Sequence, residues 1–76
     1  MSESAKRLLS MLMVMGAQTP ERALSAPELA LKLGEDLAKV DSDLRQLMSS
    51  GFVATPEGRV FYLTGIGVIA ASSTYS

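Results

Sequence analysis

The chain has 76 residues, seven basic and eight acidic, for a net charge of −1, and 47% of it is apolar. That composition is globular and not disordered, and its near-neutral charge disfavours tight sequence-independent binding to nucleic acid. With neither cysteine nor histidine, disulfides, thiolate or imidazole metal ligands, a cysteine nucleophile and the usual general base are excluded.

Residues 1–4, MSES, read as a lead-in, with Ser2 or Ser4 able to cap a helix. A helix is expected over 3–16, with Ala5, Leu8, Leu9, Leu12 and Met15 or Gly16 on one face. Met11, Met13 and Val14 leave that face, so more than half the circumference is apolar. The surplus calls for a second contact, either the C-terminal segment or a partner subunit. Lys6 and Arg7 ahead of LLSMLMVMGA also have the outline of a secretory signal. The apolar run is about half the ~20 residues a membrane span needs, and removing it would strip the core of its longest apolar face. It is read as a retained helix, with no membrane partner.

Residues 18–24, QTPERAL, are polar, contain Pro20 and read as a loop. Ser25 and Glu28 have capping-box spacing and Pro27 falls in the first turn, which starts a helix over 26–33 with Leu29, Ala30 and Leu33 inward. Gly34 closes it. Asp36 is the expected N-cap of a longer helix over 37–50, with Leu37, Val40, Leu44, Leu47 and Met48 on its inner face and Gly51 as its stop. A hairpin is expected over 52–63, turning at Thr55-Pro56-Glu57-Gly58. Val60 and Tyr62 would share one side, Phe61 and Leu63 the other. Thr64 can cap a short last helix over 65–71, weakened by Gly65 and Gly67, with the end of the chain frayed. The whole reads as one mainly α-helical domain with a small β-hairpin.

The helix over 37–50 poses the functional question. At about 100° per residue, the face opposite Val40 and Leu44 carries Ala38, Lys39, Ser42, Arg45, Gln46 and Ser49, with Asp41 and Asp43 on its shoulders. Lys and Arg suit guanine edges or phosphates, Gln suits adenine, and Ser suits base edge or backbone. An ordinary solvated helix face is made of the same residue types. Two acids, Glu35 and Asp36, stand at the end of the helix that points toward base edges. Asp36 is expected to be engaged by its own helix amides, and Glu35 to be a free acid.

Helix, tight turn, helix and hairpin is the order of a helix-turn-helix followed by a wing. The segment LALKLGEDLAKVDSDLRQLMSSGFV resembles the core of bacterial winged helix-turn-helix repressors of the MarR, IclR and ArsR type. The resemblance lies in Leu33-Gly34, Asp36, Val40, Leu44, Leu47 and Gly51-Phe52-Val53, and continues in Tyr62-Leu63-Thr64 and Gly67. It implies a winged helix-turn-helix fold and a transcriptional regulator, a repressor in those families, bound to double-stranded DNA. It also implies that Lys39, Ser42, Arg45 and Gln46 are recognition positions and that Arg59 of the wing reaches a minor groove or phosphate.

A module this small gains phosphate contacts and discrimination by pairing, so a homodimer is expected, its surface drawn from the first helix and the VIAA stretch near the end. The alternative is a winged-helix protein-interaction module, which the near-neutral charge and the acidic turn also suit. Catalysis is not expected: the carboxylates are scattered and no nucleophile has a base at a suitable spacing. No cofactor is expected, and the lack of cysteine fits a cytoplasmic setting.

Overall fold

The computed structural model describes residues 1–75, the last of them by its backbone only. Helix α1 (Glu3–Val14) starts at Ser2, whose hydroxyl accepts from the Ala5 amide. It buries Ala5, Leu8, Leu9 and Leu12, each leucine worth about 1.5–3 kcal/mol of transfer free energy. The helix ends at Val14, short of residue 16, and Met15 is an exposed cap, not a core residue.

The stretch read as loop contains more structure than its composition shows. Pro20–Arg22 form a 3-10 turn, and Leu24–Ser25 form a short strand, β1. Helix α2 (Ala26–Leu33) follows from the capping box: the Ser25 hydroxyl accepts from the Glu28 amide, and the Glu28 carboxylate accepts from the Ser25 amide and hydroxyl at 3.1 Å each. Gly34 then takes φ +65°, a left-handed conformation that costs glycine little, and lets the Glu35 amide bond back to the Ala30 carbonyl at 3.0 Å.

The bonds from the Ser25 backbone and side chain, with help from Lys32, hold the Glu28 carboxyl below the usual glutamate range. A folded-state pKa below the unfolded one contributes stability above the unfolded value and loses it as the pH falls through the folded one. Glu28→Gln should therefore flatten the acid side of a melting-temperature profile against pH. A profile as steep as that of the parent would show that the capping bond is not made in solution.

Helix α3 (Leu37–Ser49) buries Val40, Leu44 and Leu47. Two details differ from expectation. Asp36 stands at the N-cap, but its side chain makes no capping bond. Leu37, expected inward, is 48% exposed. Strands β2 (Val53–Ala54) and β3 (Val60–Leu63) pair antiparallel, Val53 opposite Leu63 and Ala54 opposite Tyr62. The other edge of β3 takes β1, Leu24 opposite Phe61, giving the order β1-β3-β2. Phe61 and Leu63 are buried while Val60 and Tyr62 are half-buried, the alternation a one-sided sheet requires.

Helix α4 (Gly65–Tyr75) is longer than the expected 65–71. Thr64 starts it as anticipated, its hydroxyl accepting from the Gly67 amide at 3.0 Å and donating to the Gly51 carbonyl at 2.6 Å. The STYS stretch, expected to fray, continues the helix as far as Tyr75. The Ser73 and Thr74 hydroxyls donate to the carbonyls of Ile69 and Ala71, and Thr74 also shares a hydrogen bond with Ser10 of α1. Ser76 lies outside the described residues. Helix α1 packs on α4, α3, α2 and β3, so the core closes around it. The result is mainly α-helical with a small antiparallel sheet, in the element order and strand pairing of a winged helix-turn-helix. Among the described residues no helix is long and apolar enough to cross a membrane.

Candidate nucleic-acid interface

Burying Val40, Leu44 and Leu47 turns the opposite face of α3 outward. Ala38, Lys39, Ser42, Arg45, Gln46 and Ser49 are all exposed there. A shallow groove of about 290 Å³ runs along this stripe, lined by Ala38, Asp41, Ser42 and Arg45. Lys39, Ser42 and Gln46 make no side-chain hydrogen bond or ion pair among the described residues, so their donors and acceptors are uncommitted.

Arg45 reaches back one turn to Asp41, Nη2 to Oδ2 at 3.4 Å, with the side chains 77% and 47% exposed. An i,i+4 pair at such exposure is worth about 0.3–0.5 kcal/mol, too little to hold Arg45 against a phosphate or a guanine edge. Asp43 is not a shoulder of the stripe: it is 7% exposed and belongs to the buried side of α3. Arg59 lies exposed in the wing, directly after the turn that the Gly58 amide closes onto the Thr55 hydroxyl at 2.7 Å. It forms no ion pair with Glu57 among the described residues.

The acidic start of α3 is the largest change from the sequence reading. Glu35 is not a free acid. Its side chain is 11% exposed, and its Oε2 accepts from Arg7 Nη1 at 2.8 Å, while Arg7 Nη2 donates to the Leu33 carbonyl at 3.2 Å. Arg7 is thus the brace between α1 and the turn. Its partner lies 28 residues along the chain, and no local pattern announces it. Asp36 remains as the exposed acid at the entrance to α3.

Lys6 stays on α1, paired with Glu3 at 3.6 Å. Met11 and Met13 are half-buried against the core, and only Val14 of the three surplus apolar residues is mostly exposed. Of the two contacts expected for the apolar first helix, the one with the C-terminal segment is made, by α4. Among the described residues no cluster of acids could hold a metal ion. No protein-family model matches the chain, and no curated protein matches it.

Proposed function

We propose that the chain is a sequence-specific regulator of transcription that binds double-stranded DNA as a cytoplasmic homodimer, without catalytic activity. Helix α3 would lie in the major groove, with Lys39, Ser42, Arg45 and Gln46 toward bases and phosphates and Arg59 toward the adjoining backbone or minor groove. One observation carries this reading: the outward stripe of α3 offers two cations, an amide and hydroxyls, while Glu35, one of the two acids ahead of it, is tied back to Arg7 and only Asp36 stays exposed there. Pairing supplies the phosphate contacts that one near-neutral module lacks. The outer face of α4 suits it, with Ile66 and Ile69 60% and 68% exposed and no charged residue after Arg59.

The test is fluorescence anisotropy with a pool of duplex fragments from the source genome, at low and at physiological salt. A subset should bind saturably and persist at physiological salt. Arg45→Ala should weaken that subset roughly tenfold, about 1.4 kcal/mol, the lower half of the range for a specific base contact. Absence of selective binding even at low salt would overturn the reading.

A protein-interaction module is a second reading, favoured by one feature of the α2–α3 elbow. Leu31 is 84% exposed and Leu37 48%, and both line a groove of about 400 Å³ with Pro27 and Ala30, beside the acid Asp36. An apolar, acidic elbow suits a basic amphipathic segment better than a phosphate backbone. A null result in the DNA assay would favour this second reading.

A further inference from the structure

A groove of about 430 Å³ opens between α1, the end of α2 and the end of α4. Its charge is unlike that of the whole chain. Three of the seven basic residues, Lys6, Arg7 and Lys32, line it, with only one of the eight acids, Glu3. Its remaining walls include Met11, Leu33 and Val14, and Val14 is 67% exposed. We propose that this groove binds a small aliphatic carboxylate, the headgroup between Lys32 and Arg7 and the tail along Met11 and Val14.

The walls select this chemistry. A neutral apolar molecule leaves Lys32 without a counter-charge and the spare Arg7 donors unused, and a bare phosphate leaves Met11, Val14 and Leu33 uncovered. The volume lies at the small end of ligand sites, which run about 300–1,000 Å³. Arg7 already shows the pairing it prefers, holding the Glu35 carboxylate at 2.8 Å. A guanidinium carries five N–H donors, of which one goes to Glu35 and one to the Leu33 carbonyl. Lys32 makes no ion pair among the described residues.

Occupancy would be felt beyond the groove. An anion at Arg7 competes with Glu35, whose Oε1 is buried without a hydrogen-bond partner and whose hold on the turn rests on the other oxygen. A bound carboxylate therefore loosens the turn that leads into α3. This inference stands whether or not α3 binds DNA.

The experiment is an NMR titration of the isotope-labelled chain with octanoate, with octylamine, octanol and inorganic phosphate as comparison probes. Octanoate should give saturable shifts at the amides of Lys6, Arg7, Val14 and Lys32, and at those of Gly34 to Ala38. The other three probes should not. Lys32→Glu and Val14→Asp, both at exposed positions that should leave the fold intact by circular dichroism, should each weaken octanoate binding about tenfold. The site is refuted by the absence of saturable shifts, by equal shifts with octylamine or phosphate, or by undiminished binding in both variants. Groove shifts with unmoved Gly34–Ala38 amides would refute the link to the turn.

Discussion

Gly67→Ala should destabilise the fold by about 3 kcal/mol, the upper end of the usual cost of overpacking. Helix propensity alone gives the opposite sign, since alanine is better than glycine in a helix interior by about 1 kcal/mol. The structure decides between them. A Cβ at residue 67 would stand 1.9 Å from the Phe52 carbonyl oxygen and 2.8 Å from its carbon, which are backbone atoms that cannot swing aside. The start of α4 cannot slide away either. The Phe52 carbonyl accepts from the Thr64 amide at 3.0 Å, and the Thr64 hydroxyl joins the Gly51 carbonyl to the Gly67 amide. Relieving the clash means giving up these bonds and lifting α4 from α1. By the usual scaling a chain of this length has about 4–11 kcal/mol in total, so the loss would show plainly in a urea transition followed by circular dichroism. Gly65→Ala is the internal control, because a Cβ there meets nothing within 4 Å. Equal midpoints for the two variants would mean that α4 does not pack this closely.

Gly67 also shows where reading the chain in one dimension stops. Sequence pattern counts it as a weakness in the last helix, whereas in three dimensions it is where the backbone of α4 lies close against that of Phe52. What was legible had a local cause. The Ser25–Glu28 capping box, the left-handed Gly34 and the alternation of Val60, Phe61, Tyr62 and Leu63 each place an element within a few residues. Strand β1 has no such signature, because two residues carry no periodicity and their partners, Phe61 and Val60, lie in the last hairpin.

The candidate site divides the same way. That Lys39, Ser42, Arg45 and Gln46 point outward follows from the helical period once Val40 and Leu44 are buried. Which acids stand near them does not follow. Helical angle puts Asp43 on a shoulder, but the neighbouring elements cover it. Glu35 follows a glycine turn, where pattern cannot tell which way a side chain leaves, and a guanidinium from α1 decides it.

That guanidinium carries the second large effect. Arg7→Ala should cost about 2 kcal/mol, which is more than a surface ion pair is worth. The asymmetry of the pair is the reason. Arg7 has a side chain 56% exposed, so losing its partner leaves it in water, whereas Glu35 is 11% exposed and already has one oxygen without a partner. Removing the arginine strands a carboxylate with both oxygens unpaired and takes a donor from the Leu33 carbonyl. Glu35→Ala should cost less, since it removes the buried charge itself and leaves the Arg7 guanidinium, 56% exposed, in water. The double variant should then be more stable than Arg7→Ala alone. A urea-denaturation cycle over the four proteins measures this ordering. Equal losses for the two single variants would show that the pair is no more than a solvated contact. If α3 binds DNA, the same substitution acts a second time. Glu35, no longer paired with Arg7, keeps an uncompensated charge beside the entrance of α3 and adds it to that of Asp36 against the phosphates. Arg7→Ala should then weaken DNA binding although Arg7 lies off the recognition stripe, and Glu35→Gln introduced beside it should restore the affinity.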